Sequence, residues 1–187
     1  FSAKKDLLID GIGLKIDVVV WKEKIREKFC IYFMNLEGVL KGRDTTSFNR
    51  NTVNFNHSVF VRSLCFDRDS DTSLTTDDSS NEQIAFDDQP NNRTFLRKVK
   101  KEIQEAIDDA LTAFLSAQAT KAVQDMMDRE SFPTFSDDIP GQLQKKDLMT
   151  VTQELYKLDA RIFYKLKPIQ EKSLLGFINL LLQSEER

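Results

Sequence analysis

The order of patterns along this chain predicts an α+β fold: a small, mostly antiparallel sheet, then a long helix and a C-terminal helical bundle. Three observations carry that expectation. Residues 14–20 alternate apolar and mostly polar side chains at a period of two. Residues 94–130 hold neither Pro nor Gly and repeat apolar side chains at three- and four-residue spacing. The strand-like runs all precede the helix-like ones, the order of segregated layers rather than of an alternating parallel sheet.

The elements follow in sequence. Asp10-Gly11-Ile12-Gly13 reads as a turn leading into the first strand, where Leu14, Ile16, Val18 and Val20 share one face. Residues 22–28 are charged and fit either a short helix or a strand extension. A second run, Phe29 to Met34, ends at Asn35-Leu36-Glu37-Gly38, where Gly offers positive φ for a turn, and Val39-Leu40 begin a return strand. Val59-Phe60-Val61, continued by Leu64-Cys65-Phe66, is a further strand. From Leu96 through Val99, Ile103, Ile107, Ala110 and Phe114 to Val123 and Met126 the spacing is helical, as one helix capped by Asn92 or Thr94, or as two joined near Ser116. Pro133 and Pro140 break the chain. A helix over 145–158 sets Leu148, Val151, Leu155 and Leu158 on one stripe. Asp159 caps a short helix with Ile162 and Phe163, and Pro168 opens a last, strongly apolar helix.

Charge divides the chain further. Residues 1–66 carry 11 basic and 7 acidic side chains, residues 67–92 carry 1 and 8, and residues 93–187 carry 15 of each. This predicts a β-rich part over 1–66, an acidic flexible loop or linker over 67–92, and a helical part over 93–187. The formal net charge of −3 gives no overall field for a polyanion, so nucleic acid is not expected as the main partner. The hydrophobic fraction of 40%, with 14 Phe, is enough for an aromatic-rich core. No apolar run reaches the length of a membrane span. Cys30 and Cys65 lack zinc or redox spacing and read as reduced thiols of a cytoplasmic protein, a disulfide between them being the alternative. The chain opens at Phe1-Ser2-Ala3 and closes directly after an apolar run, which reads as an internal segment of a longer protein.

Few constellations offer chemistry. His57 is the single histidine and reads as a hydrogen-bonded residue at a strand end. Asp10-Gly11-Ile12-Gly13 lacks the third glycine of a dinucleotide fingerprint and the lysine of a phosphate loop. In the acidic stretch, Asp67, Asp69, Asp71, Ser73, Thr75 and Asp78 fall at the ligand positions of a calcium loop, although Thr72 replaces its glycine and Asp78 its bidentate Glu. Asp67, Asp69, Asp71 and Asp78 are therefore candidate calcium ligands, against the simpler reading of a solvated loop. Arg93, Arg97, Lys98, Lys100 and Lys101 cluster where a helix dipole disfavours cations; they read as a solvated charged turn, a phosphate or the acidic stretch as their partner being the alternative. In the last helix Leu174, Phe177, Ile178 and Leu181 exceed what one buried stripe needs. They are candidate interaction residues, and a symmetric dimer is expected of them.

Two stretches carry a resemblance. Thr45-Thr46-Ser47-Phe48-Asn49-Arg50 is followed by His57-Ser58-Val59-Phe60-Val61-Arg62-Ser63. Leu155-Tyr156-Lys157 leads to Ile162-Phe163-Tyr164-Lys165-Leu166, then Gln170 to Leu182 and Ser184-Glu185-Glu186-Arg187. Together they resemble the region after the nucleotide-binding domain in bacterial GHKL-type ATPases, the superfamily of gyrase B, heat-shock chaperones and histidine kinases. The resemblance implies a transducer-like or middle segment that relays nucleotide state to other domains of a parent chain, often through dimerisation. It implies no catalytic residue and no cofactor here, since the superfamily's acidic-plus-Asn helix and Asp-x-Gly-x-Gly loop are not in this sequence. A freestanding protein-interaction module and a calcium-responsive module are the alternatives.

Overall fold

A computed structural model describes residues 1–27, 29–46, 54–67 and 90–185. Among these residues the fold is α+β, with five strands followed by helices. The strands are β1 (Ser2–Ile9), β2 (Ile12–Trp21), β3 (Cys30–Met34), β4 (Leu40–Thr45) and β5 (Asn56–Arg62). The helices are α1 (Pro90–Asp128), α2 (Ile139–Asp159), α3 (Arg161–Tyr164) and α4 (Pro168–Glu185). The chain divides into two compact units, Phe1–Leu111 and Thr112–Arg187. The first part of α1 thus groups with the strands, and the division falls well beyond the acidic stretch. The reason is burial: Phe95, Leu96, Val99, Ile103, Ala106, Ile107 and Ala110 all lie at or below 8% exposure within the first unit. Ile103 and Ile107 serve that unit rather than a helical bundle.

The sheet order is β1-β2-β5-β3-β4, antiparallel except for the β3–β5 pair. Burial follows parity in β1 to β4, whereas β5 is buried at four successive positions, Asn56, His57, Ser58 and Val59. Leu14, Ile16, Val18 and Val20 of β2, Ile31 and Phe33 of β3, and Val59 and Val61 of β5 point to the buried face. β1 escapes the sequence pattern because the inward position 5 is a lysine. Lys5 Nζ lies 2.8 Å from Glu102 of α1, so a cation occupies a place where alternation would put an apolar residue. Lys98 reaches Asp10 in the β1–β2 turn at 2.6 Å, and Lys100 reaches Asp44 of β4 at 2.9 Å. These exposed pairs join α1 to both edge strands and fix its register more than they add stability. Asp10 and Gly11, at φ 49° and 81°, form the two-residue hairpin turn. Gly38, at φ 85°, turns the chain between β3 and β4, with Asn35 Oδ1 accepting from the Val39 amide at 2.8 Å. Residues 22–27 form neither helix nor strand.

In the second unit α1 runs on unbroken past Ser116 to Asp128, contributing Ala119, Val123 and Met126 to the packing. Its end is a Schellman motif. The Ser131 amide donates to the Met126 carbonyl and the Glu130 amide to Met127, each at 3.0 Å, with Glu130 in the left-handed region at φ 56°. Pro140 does not break the chain, because it sits in the first turn of α2 where no backbone donor is needed. Asp138 caps that turn by accepting from the Gly141 amide at 2.9 Å. A Cβ on Gly141 would collide with the Ser136 carbonyl, so glycine is required there. The inward stripe of α2 is Leu148, Thr152 and Tyr156, rotated from the expected one, and Leu158 is 82% exposed. Thr152 can face inward because its hydroxyl donates to the Leu148 carbonyl at 2.7 Å. Asp159 Oδ1 accepts from the Arg161 amide at 3.0 Å, ahead of α3.

Candidate functional site

The face of α4 is the candidate site, and its construction begins with what α4 buries. Glu171, Leu175 and Ile178 are the buried residues of α4, at spacings of four and three. Glu171 is only 3% exposed, accepting from the Ser131 hydroxyl at 2.9 Å and from Arg129 Nη2 at 3.2 Å. A carboxylate in the first turn of a helix also meets the positive end of its dipole. These contacts fix the rotation of α4 about its own axis, and that rotation determines what remains outside.

Outside are Ile169 at 70%, Phe177 at 60%, Leu180 at 64% and Leu181 at 50% exposure, with Leu174 half-buried. Of the four residues expected to mediate interaction, Phe177 and Leu181 lie open and Leu174 flanks them. Ile178 does not join them: it is 8% exposed, one helical step of 100° from Phe177 and on the packed side. Sequence reasoning missed Ile169 and Leu180. Their signal was the spacing Ile169, Ser173, Phe177, Leu180, Ser184, a line of outward positions with no charge along it. Both serines on this line are spoken for by their own helix. Ser173 Oγ donates to the Ile169 carbonyl at 2.9 Å, and Ser184 Oγ to the Leu181 carbonyl at 2.7 Å.

The other candidates resolve differently. Asp67 closes a short 3-10 turn, Leu64–Asp67, while Asp69, Asp71 and Asp78 lie outside the described residues. Among the described residues no group of His, Cys, Asp or Glu is arranged to hold a metal ion. Asp10 and Gly11 form the hairpin turn, and the Asp10 carboxylate holds Lys98. Lys100 and Lys101 of the basic cluster likewise meet carboxylates, Asp44 and Glu105. His57 lies in β5 at 0% exposure, its Nδ1 3.3 Å from the Phe55 carbonyl, and burial lowers its pKa from the ordinary 6.5. It is packed between the rings of Phe29 and Phe55, at centroid distances of 5.2 and 4.7 Å. Cys30 and Cys65 form no disulfide. A shallow cleft lined by Gln144, Asp147, Asn179, Leu182 and Gln183 offers about 10 Å³, the room of a single water. Among the described residues no helix is long and apolar enough to cross a membrane.

The outward face of the sheet also carries large side chains; Leu8 and Leu40 lie open, while the aromatic residues have partners within the unit. The Trp21 indole donates to Ser58 Oγ at 3.0 Å, Tyr32 stacks on Phe60 at 5.1 Å, and the Tyr32 hydroxyl donates to Glu27 at 2.8 Å. Burial and that bond to Glu27 push the Tyr32 pKa up. Comparison of the chain with family models, with curated proteins and with solved structures returns no match.

Proposed function

We propose that this chain is a non-catalytic interaction and relay segment acting inside a larger, cytoplasmic ATPase-bearing protein, with the outward face of α4 as its docking surface. One observation carries the reading: Ile169, Phe177 and Leu180 stand more than half exposed on one line of α4 that carries no charge, with Leu181 half exposed beside it. Contiguous apolar surface of this kind marks contact with another protein surface. The relay part is supported by α1, a single helix whose residues belong to both compact units. The ATPase parent rests on the sequence resemblance, and an Asp-x-Gly-x-Gly loop encoded upstream in the same reading frame would support it. Its absence there would favour a freestanding interaction module using the same face.

The test is Phe177→Glu. A docking residue tolerates the charge: the variant is expected to keep the wild-type circular dichroism and to melt within a few degrees of it. Loss of cooperative folding would place Phe177 in a core and overturn the reading.

A further inference from the structure

The outward line of α4 is self-complementary when reversed. From its first residue to its last it reads Ile169, Ser173, the Gly176–Phe177 step, Leu180, Ser184. Laid antiparallel on a copy of itself, about a dyad between Gly176 and Phe177, every bulky residue meets a small one. Ile169 faces Ser184, Ser173 faces Leu180, and Phe177 faces Gly176. Helices pack by seating ridges in grooves, and alternation of large and small side chains along a contact permits close approach.

Three further features favour a second copy as occupant. The line carries no charge, so reversing it sets no like charges against each other. The two serines already donate to their own helix carbonyls, so covering them strands no hydroxyl proton. Gly176 is unfavourable inside a helix, yet a Cβ there would meet nothing within 4 Å. Gly141, by contrast, is required by its own unit. The room at Gly176 is unused within one copy and suits an incoming Phe177 ring.

We propose that α4 is the dyad element of a homodimer, pairing antiparallel with α4 of a second copy in the register that sets Ser173 against Leu180. This rests on the reading of α4 as a docking face and names its partner. Few large side chains are involved, so dissociation in roughly the micromolar range is expected.

The test uses the full chain. Sedimentation at roughly 100 µM, above that range, is expected to show a dimer, and Phe177→Glu is expected to raise the dissociation constant at least about tenfold. Register is read by mild oxidation of Ser173→Cys mixed with Leu180→Cys, with the wild-type chain controlling for Cys30 and Cys65. The mixture is expected to cross-link in preference to either variant alone. Preferred self-linkage of each variant, as a parallel pair gives, overturns the register. A wild-type monomer at that concentration overturns the homodimer. If Phe177→Glu is then still folded, the docking face stands with a different occupant, and if it is unfolded the docking reading fails as well.

Discussion

Phe33 in β3 and Phe177 in α4 are the same side chain in opposite surroundings, 0% and 60% exposed. In the strand unit the apolar residues of one parity are buried, and aromatic rings of the other parity find partners within the unit. Tyr32 covers Phe60, and Trp21 is tied to Ser58. In the helical unit α4 holds more apolar side chains than its packed side accommodates, and Leu143 and Leu158 of α2 are also more than half exposed. The first unit also leaves large apolar residues open, Leu8 at 73% and Leu64 at 65%, but scattered over a strand and a turn, whereas α4 gathers Ile169, Phe177, Leu180 and Leu181 on one helix. The difference teaches that apolar content alone does not separate core from interface.

The largest expected effect contrasts the two phenylalanines directly. Phe33→Ala is expected to destabilise the protein by about 3–5 kcal/mol, since it removes a fully buried ring, whereas Phe177→Ala is expected to stay within about 0.5 kcal/mol in dilute solution. Urea titration at low protein concentration measures both, and equal losses would erase the distinction between core and docking face.

Next in size is Glu171→Ala, expected to cost about 1–3 kcal/mol by leaving Ser131 and Arg129 without their carboxylate. The half-exposed Arg129 recovers water, which keeps the loss below that of a fully buried pair. Chemical denaturation against Glu171→Gln, which retains an acceptor, separates the hydrogen bond from the charge.

The strand unit carries the pH-sensitive element. Burial lowers the His57 pKa below 6.5, so below that pH the unfolded chain binds a proton that the folded chain resists. Stability is therefore expected to fall as pH drops through 6.5 and to level off below the folded pKa. Melting temperatures between pH 7.5 and pH 5 check this, with His57→Gln giving the shallower slope (it removes the only histidine). A variant curve parallel to the wild type would show that His57 does not couple to folding.

The smallest effects are backbone effects in the helical unit, gains at two positions and a loss at a third. Gly176→Ala is expected to stabilise the dilute protein by about 0.5–1 kcal/mol, because the new methyl meets open space and lowers the entropy cost of the helix. Gly141→Ala is expected to do the reverse, since its methyl strikes the Ser136 carbonyl. Glu130→Gly, at φ 56°, is expected to add a similar gain by relieving the left-handed residue of the α1 cap. Thermal melts of the three variants would sharpen the view of which backbone positions are constrained from within.

The sequence by itself determined the α+β class, the alternating strand β2, the apolar runs of β3 and β5 (though it carried the latter on through Leu64-Cys65-Phe66, which form a 3-10 turn), the turn at Gly38, and the helical course of α1 and α4. Each rests on local periodicity, on a short apolar run or on a backbone preference of a single residue. It did not show β1, because Lys5 breaks the alternation and its ion pair with Glu102 depends on a helix roughly a hundred residues away. It also misplaced the inward stripe of α2, where Thr152 satisfies its hydroxyl on its own backbone. For α4 it identified Leu174, Phe177 and Leu181 as surplus apolar surface but included Ile178 with them. A helix apolar on several sides has no rotation written into it. Only tertiary structure decided that rotation, through the buried Glu171 and its bonds to Ser131 and Arg129, and the same bonds determine which leucines reach solvent.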